Sequence, residues 1–237
     1  MRKTITLAAL CVTAMLVVSS CDAHGRQVVE AAPIRPADIA DFRVLYSQNC
    51  SGCHGANGQG ALTVGIGRPV YLAIADDATI RKTIERGRPG TPMPAFAHKA
   101  GGLLTDAQID ILVHGIRSWA RSASLHTTAS PGAFANLTLP TYAASQAGEA
   151  TRGAEIFKVS CAPCHGPEGR GARAIADSSY LALVTDQHLR TVIIVGMPHL
   201  GMPDWRSHSK PLTDADVGDI VAWLVAQRES LSAQLRH

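Results

Sequence analysis

Apolar residues recur at helical spacing along most of the chain, and no segment shows a convincing alternation of apolar and polar residues. The clearest stripes follow Thr105 and Thr213, and helical spacing places the members of each stripe on one face. Their apolar positions are Ile109, Leu112, Val113 and Ile116 in the first segment and Val217, Ile220, Val221 and Leu224 in the second. The pattern therefore predicts an all-α protein.

The ends of the predicted helices are marked by residues with known capping roles. Gln108 or Asp216 stands three residues after Thr105 or Thr213, as an approximate capping box. Further helices are predicted over residues 41–49, 77–86, 152–160 and 186–195. The second and the fourth of these segments stop at a glycine, which is a common helix end.

The predicted helices come in pairs because the chain contains an internal repeat. The matched stretches are residues 50–55 with 161–166, 71–72 with 180–181, Arg81 with Arg190, Gly87 with Gly196, 93–94 with 202–203, and 104–107 with 212–215. The repeat has the length of a small domain, so we predict two domains, at residues 37–121 and 148–230. Composition predicts a linker at residues 122–147, and residues 231–237 are a predicted tail.

The N-terminus has the pattern of an export signal. Arg2 and Lys3 precede an apolar run over residues 5–18, which is too short for a convincing membrane span. The run ends in Val-Ser-Ser-Cys, which resembles the lipobox of bacterial lipoproteins, where the cysteine is lipidated and the chain is cut before it. We therefore predict a signal peptide at residues 1–20 and lipidation of Cys21.

Lipidation predicts a protein anchored on the periplasmic side of a bacterial membrane, with residues 21–36 as a tether. Several acyl chains anchor stably where a single chain does not. Asp22 resembles a retention signal of enteric bacteria, which favours the inner membrane. The alternative is cleavage after Ala23 and a freely soluble product.

Composition narrows the classes of function. Hydrophobic residues make up 46% and charged residues 17% of the 237 residues, a balance typical of a globular protein. The 22 basic residues, less Arg2 and Lys3, leave 20 against 19 acidic residues. No basic run is present that could follow phosphates, so nucleic acid is not expected as a partner.

Two Cys-x-x-Cys-His motifs carry the candidate chemistry. They consist of Cys50, Cys53 and His54 and of Cys161, Cys164 and His165. One helical turn separates the two sulfurs, which matches the two vinyl groups on one edge of a porphyrin, and the histidine is carried beneath the iron. We therefore predict two covalently attached haem c groups, with His54 and His165 as iron ligands.

Zinc binding and redox dithiol chemistry are the alternative uses of these cysteines. A zinc site explains neither the two histidines, nor the methionines further along, nor the export signal. Redox dithiols usually come singly on an α/β fold. Haem attachment explains all of these features together.

A methionine is predicted as the second axial ligand of each iron. Met93 and Met202 hold the same repeat position on Pro/Gly-rich loops, six residues after a helix-ending glycine. Filling of the core is the alternative role for either side chain. Met197 also precedes a proline and is the alternative ligand in the second repeat, but Met202 keeps the spacing of the first repeat and is preferred. Possible substitute ligands are the loop histidines His98, His199 and His208.

Both halves resemble class I cytochrome c domains over residues 37–121 and 148–228. The resemblance implies a first helix that crosses the last helix beside the haem. Gly153, Phe157 and Trp223 fit that crossing in the second half.

The first half departs from the family pattern at the crossing. Phe42 stands where Gly153 stands, which implies a looser or shifted crossing, and Trp119 lies one turn later than Trp223.

Second contacts of the haem and its histidine are also implied. The family often has a proline carbonyl that accepts a hydrogen bond from the iron-bound histidine. Pro69 fits this role in the first half, and Ser178 occupies its place in the second. Recurring residues that could contact haem propionates, or serve in packing or at the surface, are Arg81, Arg190, Tyr71 and Tyr180.

Histidine–methionine ligation raises the reduction potential and leaves no position on the iron for a substrate. The expected function is electron transfer in a respiratory chain. Residues 196–205 resemble haem subunits encoded beside Rieske and cytochrome b proteins, which implies a quinol-oxidising donor and a terminal-oxidase acceptor. A tethered shuttle and a subunit of a larger complex both stay open. The alternative class is a dihaem enzyme of the peroxidase or thiosulfate dehydrogenase type, which needs an open or unusual iron site.

Overall fold

The secondary structure is helical throughout the described part of the chain. The structure is a computed structural model that describes residues 34–126, 134, 136–208 and 210–234. Within these ranges there is no strand, and two isolated bridges pair Ala97 with Leu104 and Met197 with Met202. The all-α prediction is confirmed.

Some of the predictions concern residues outside this part. The predicted signal peptide, Cys21 and nearly all of the tether lie outside the described residues. Parts of the predicted linker and of the predicted tail do so as well.

The first repeat contains five α-helices among its described residues. They are α1 (Phe42–Asn49), α2 (Ser51–His54), α3 (Pro69–Ile74), α4 (Asp77–Arg86) and α5 (Asp106–His126). Helix α1 begins where Asp41 accepts a hydrogen bond from the Val44 N–H at 2.9 Å, and α4 begins where Asp76 accepts one from the Thr79 N–H at 2.7 Å. Helix α5 runs into the segment predicted as a linker.

The second repeat has the same order of helices. They are α6 (Ala150–Ser160), α7 (Ala162–His165), α8 (Ser178–Leu183), α9 (Asp186–Val195) and α10 (Asp214–Gln234). Helix α10 runs into the segment predicted as a tail.

Both closing helices begin with a reciprocal capping box. The Thr105 N–H donates to Gln108 Oε1 at 3.1 Å, and the Gln108 N–H donates to Thr105 Oγ1 at 3.2 Å. Thr213 and Asp216 exchange the same pair of bonds at 2.9 and 3.1 Å. These bonds satisfy backbone donors that have no partner inside the helix, and they confirm the predicted boxes.

The crossing of α6 and α10 depends on a missing side chain. A Cβ atom on Gly153 would lie 2.0 Å from the carbonyl oxygen of Asp219, so the two backbones touch at this point. Beside the contact, the rings of Phe157 and Trp223 stack with their centroids 4.2 Å apart. The second repeat therefore places the small residue on its first helix and the large one on its last.

The first repeat reverses this arrangement. Gly115 stands at the same distance after Thr105 as Trp223 does after Thr213, and Phe42 stands at the position of Gly153. A Cβ atom on Gly115 would lie 2.0 Å from the Phe42 ring, which fills the space. The Phe42 ring also packs 5.4 Å from the ring of Trp119. The exchange of large and small residues explains how α1 and α5 cross without the glycine of the second repeat.

An arginine of each closing helix joins that helix to the loop between the two middle helices. Arg117 and Arg228 donate to two backbone carbonyls each, which satisfies acceptors that the short helices α3 and α8 leave free. The acceptors are the carbonyls of Leu72 and Ala75 with the Asp77 carboxylate for Arg117, and those of Leu181 and Val184 with the Asp186 carboxylate for Arg228.

The segment before α6 packs on the second repeat. The Arg190 guanidinium donates to the Thr141 carbonyl at 3.0 Å and pairs with the Asp214 carboxylate. Asp214 also accepts a bond from the Thr141 N–H at 2.7 Å. From Pro36 onward, both repeats belong to one compact unit.

In the ranges that the structure describes, no helix combines the length and the apolar character that crossing a bilayer requires.

We predict that Gly153→Ala lowers the free energy of unfolding by about 1–3 kcal/mol, because the added methyl group meets backbone rather than a side chain that can move. Urea denaturation of the haem-loaded protein measures the change.

Gly218→Ala on α10 is the matched control. The nearest atom to its added Cβ would be the Cα of Gly148, 3.9 Å away, and replacing a helical glycine by alanine should raise stability by about 0.5–1 kcal/mol. A Gly153→Ala protein as stable as the Gly218→Ala protein would contradict the close crossing.

Candidate functional site

Each Cys-x-x-Cys-His motif forms a single helical turn. In α2 the His54 N–H donates to the Cys50 carbonyl at 3.0 Å, and in α7 the His165 N–H donates to the Cys161 carbonyl at 3.0 Å. The first cysteine and the histidine of each motif are therefore one turn apart on the same side of the helix. Gly55 and Gly166 end the turns with φ of 81° and 79°, a backbone conformation that favours glycine.

A backbone carbonyl holds the histidine ring in both repeats. His54 Nδ1 donates to the Val64 carbonyl at 2.9 Å, and His165 Nδ1 donates to the Arg173 carbonyl at 2.7 Å. A proton on Nδ1 leaves the lone pair of Nε2 free for a metal, and the bond fixes the orientation of the ring.

The expectation that the Pro69 carbonyl accepts the bond from His54 is wrong, and Ser178, at the matching place, does not accept the bond from His165. Both residues are the first residues of helices, α3 and α8. Their carbonyls point along the helix axes. The loops that follow the motifs pass closer to the imidazoles and supply the acceptors.

The protonation state of His54 suits a metal ligand. Burial lowers the pKa of His54, and the nearby Arg88 guanidinium lowers it further, against the bond to Val64, which raises it. The imidazole is thus neutral near pH 7, as metal binding requires.

A glycine packed on a proline fixes the methionine loop of each repeat. A Cβ atom on Gly87 would lie 2.4 Å from the carbonyl carbon of Pro94, and a Cβ atom on Gly196 would lie 2.6 Å from that of Pro203. The φ angles of the two glycines are 62° and 69°. The chain between the end of the helix and the methionine therefore follows the same path in both repeats.

The backbone bonds of the two loops correspond as well. The Arg88 N–H donates to the Met93 carbonyl at 3.0 Å, and the Met197 N–H donates to the Met202 carbonyl at 3.0 Å. By this correspondence Met202 holds the place of Met93, while Met197 holds the place of Arg88. The arrangement supports Met202 as the counterpart of Met93.

The predicted ligands of the first repeat line one cavity of about 380 Å³. Cys50, Cys53, His54 and Met93 all contribute to its wall. Apolar side chains form most of the rest, as a flat apolar cofactor requires. Those of the first repeat are Leu62, Val64, Ile66, Ile80, Ile84, Phe96, Leu112 and Ile116. The donors and the lining both fit a haem.

The second repeat has a buried donor without an acceptor. Trp205 is 2% exposed, and its indole N–H has no hydrogen-bond partner among the described residues. Trp205 follows Met202 at the spacing with which Phe96 follows Met93, and Phe96 lines the first cavity. A buried unpaired donor at this position fits a site whose bound group supplies the acceptor.

The four thiols of the motifs are free. Burial, followed by the neighbouring cysteine, raises the pKa of Cys50 to about 12 and that of Cys161 to about 11. A reactive dithiol needs a thiolate, which the raised pKa of Cys50 and Cys161 disfavours. No cluster of three metal-binding side chains is present in the described ranges.

Two of the four residues predicted as propionate contacts have other partners. Arg81 pairs with Glu85 and Asp110, and Arg190, which is 2% exposed, bonds to Thr141 and Asp214. Tyr71 and Tyr180 both line the first cavity, although Tyr180 belongs to the second repeat.

Arg88 is a cavity residue that the sequence reasoning missed. It lines the first cavity and donates to the hydroxyl of Tyr142. Met197 stands at the place of Arg88 in the second repeat, so the internal repeat offered no signal for Arg88.

Two of the histidines predicted as substitute ligands have other roles in the structure. His199 uses its Nε2 to donate to the Ala61 carbonyl at 3.0 Å. His98 begins a short 3₁₀ turn (His98–Ala100).

Covalent attachment of haem through Cys-x-x-Cys-His is what distinguishes c-type cytochromes, and this chain has two such motifs in matching surroundings. The sequence profile of the family described as cytochrome c oxidase, cbb3-type, subunit III matches residues 37–114 and 148–224, and the chain belongs to that family. The predicted cofactor, two covalently attached haem c groups, is confirmed.

Similar proteins include subunits of two respiratory complexes. The chain is 31% identical over 147 residues to the Cbb3-type cytochrome c oxidase subunit CcoP of Azospirillum sp. (strain B510), a match that covers 57% of this chain and 42% of that relative. It is 25% identical over 208 residues to the cytochrome bc1 complex cytochrome c subunit of Mycobacterium bovis, which covers 86% of this chain and 69% of the relative. The chain thus spans less than half of the first relative.

Among solved structures, a chain of the Kuenenia stuttgartiensis reducing HAO-like protein complex covers 82% of this chain and 99% of its own length. Its sequence identity of 18% and TM-score of 0.45 carry no argument about function.

We predict that Gly87→Ala displaces the Met93 loop, because the new Cβ would meet the backbone of Pro94 and alanine rarely adopts a φ of 62°. The measurement is the weak methionine–iron absorption band at the red end of the oxidised spectrum, which should lose about half of its intensity if one of two haems is affected.

Gly90→Ala separates the effect of the contact with Pro94 from the effect of the positive φ. Gly90 has φ of 76°, but its added Cβ would meet nothing within 4 Å. This control should lose some stability and keep the band. Equal loss of the band in both variants would show that the contact with Pro94 does not hold the loop.

Proposed function

We propose that this protein transfers electrons in a respiratory chain, with each iron bound between an imidazole and a thioether. The observation that carries the proposal is the first cavity, where both attachment cysteines, His54 and Met93 line one apolar space. The second repeat supports it through the matching carbonyl bond of His165 and the matching loop of Met202.

The proposed ligands explain a transfer function through the positions they occupy. Bound haem supplies a one-electron couple, and the axial ligands tune its potential. His54 and His165 would hold the iron through Nε2, which their backbone bonds keep in a fixed orientation, and Met93 and Met202 would supply the second protein ligand. The apolar wall of the first cavity would keep water away. Iron held in this way would have no position for a substrate.

The dihaem enzyme is the competing class, and it needs one iron with an open or unusual coordination. The two methionine loops have the same glycine–proline contact and the same backbone bond, which disfavours a special role for either haem. Electron transfer without substrate chemistry is the simpler consequence of this equivalence.

The names of the relatives suggest the partners. They are subunits of a cbb3-type oxidase and of a cytochrome bc1 complex. We infer that this protein works between a quinol-oxidising complex and a terminal oxidase, either as a shuttle or as a subunit of one of them. Purification in mild detergent, followed by identification of the proteins that remain bound, distinguishes the two.

We also propose that the protein acts on the periplasmic side of a bacterial membrane, anchored by lipid on Cys21. The support is the charged start, the apolar run and the lipobox-like residues before Cys21.

A redox titration of the purified protein tests the proposed ligands. Met93→Ala and Met202→Ala should each lower the potential of one haem by on the order of 0.1 V or more, within the roughly 0.8 V over which axial ligands act. The other haem should change little. The reason is that each substitution removes, from one site only, the thioether that stabilises ferrous iron.

Met197→Leu is the control for the second site. It should leave both potentials almost unchanged. If Met197→Leu lowers the second potential while Met202→Ala does not, Met197 is the ligand and the assignment of Met202 is wrong.

Cys21→Ser tests the anchor. The variant should move from the membrane fraction to the soluble periplasmic fraction, and its intact mass should lack the acyl chains. Cys11→Ser, which changes a cysteine inside the predicted signal peptide, should keep the protein in the membrane fraction. An unaltered distribution of the Cys21→Ser protein would exclude lipidation as the anchor.

A further inference from the structure

The second repeat provides one wall of the first cavity. Helix α8, helix α9 and Val184, which lies between them, contribute side chains to the space that also holds Cys50, His54 and Met93. We call this set the α8–α9 face, and it consists of Tyr180, Leu183, Val184, His188 and Thr191. The first site is therefore shared between the two repeats.

Direct contacts hold the two repeats together around this cavity. The His199 ring donates to the Ala61 carbonyl at 3.0 Å, and a Cβ atom on Gly60 would lie 2.7 Å from the same ring. Residues 60 and 61 belong to the loop that follows the first attachment motif. The second repeat is thus packed against the loop that positions His54.

Tyr142 links the two repeats on another side of the site. Its hydroxyl accepts a hydrogen bond from Arg88, which lines the first cavity. Its backbone carbonyl accepts bonds from Gln187 at 2.8 Å and from Arg190 at 3.2 Å, both on α9. The Tyr142 ring also lies 5.9 Å from the Arg88 guanidinium carbon. One residue therefore connects the cavity wall of the first repeat to α9.

The surroundings of His188 agree with this shared site. Burial, followed by electrostatic interaction with Arg88 and then with His54, lowers the pKa of His188 to about 4. A half-buried residue of the second repeat thus lies close to a proposed iron ligand of the first.

We propose that the α8–α9 face is part of the first haem site and helps to set the reduction potential of that haem. The proposal rests on the proposed function, since it concerns a haem held by His54 and Met93. The apolar members of the face lower the local dielectric and exclude water, which disfavours the additional positive charge of ferric iron and raises the potential. The two repeats are then one functional unit, and the second repeat is a structural part of the first redox centre.

A charge placed on the face tests the proposal. Leu183 lines the cavity and is 56% exposed, so a charged side chain can reach solvent there without unfolding the protein. Leu183→Lys should raise the potential of the first haem, because a positive charge disfavours ferric iron, and Leu183→Glu should lower it. The second haem should move less in both variants. General damage to the fold would shift the potential in the same direction in both, so opposite shifts identify an electrostatic effect.

Leu103 provides the matched control. It is 81% exposed, belongs to the first repeat and is not part of the cavity wall. Leu103→Lys and Leu103→Glu should move the first potential by much less than the Leu183 pair, although Leu103 is closer to Met93 in the sequence.

The two redox waves are assigned by combining each Leu183 variant with Met93→Ala. The shared site is wrong if the Leu183 pair shifts only the wave that depends on Met202. It is also wrong if the Leu183 pair shifts the wave that depends on Met93 by no more than the Leu103 pair does. Failure of the proposed function would give a different result. In that case the unaltered protein would contain fewer than two haems, or it would not show the methionine–iron band.

Discussion

In both repeats a backbone carbonyl fixes the ring of the attachment-motif histidine, and the surrounding loop has to be shaped so that the carbonyl reaches it. The turn at Gly55 or Gly166 requires a positive φ, and each glycine then packs on its own loop: a Cβ on Gly55 would lie 2.7 Å from the Gly60 carbonyl oxygen, and one on Gly166 would lie 2.5 Å from the Gly171 Cα. These contacts bring Val64 and Arg173 to the rings. The free Nε2 of each imidazole follows from that bond.

The two repeats keep this arrangement while the helix crossing around it changes. In one repeat Gly153 on the first helix packs against the backbone of the last helix, and Trp223 on the last helix packs on Phe157. In the other repeat the large residue, Phe42, is on the first helix and the small one, Gly115, is on the last. Packing constrains the total side-chain volume at the crossing, and either the first or the last helix can carry the large residue. The position of a histidine or methionine beside an iron has no such freedom.

Local patterns in the sequence were sufficient to predict the longer helices (α1, α4, α5, α6, α9 and α10), the capping boxes and the two haem groups, because spacing and capping act between neighbouring residues. The short helices α3 and α8 were not predicted. The acceptor for His54 was predicted wrongly and that for His165 was not predicted, since any residue can offer a backbone carbonyl and the sequence holds no signal for it. Arg88 was missed because Met197 takes its place in the second repeat. The α8–α9 face depends on contacts between distant parts of the chain, which a comparison of the two repeats does not indicate.

The central claim is that both irons are closed on both sides by protein ligands. Addition of carbon monoxide to the fully reduced protein near neutral pH measures it most directly, because carbon monoxide binds ferrous haem rapidly only where an axial position is open. The account predicts an unchanged spectrum over the time in which an open haem would be saturated. Rapid binding to either haem would contradict closed histidine–methionine coordination at that site.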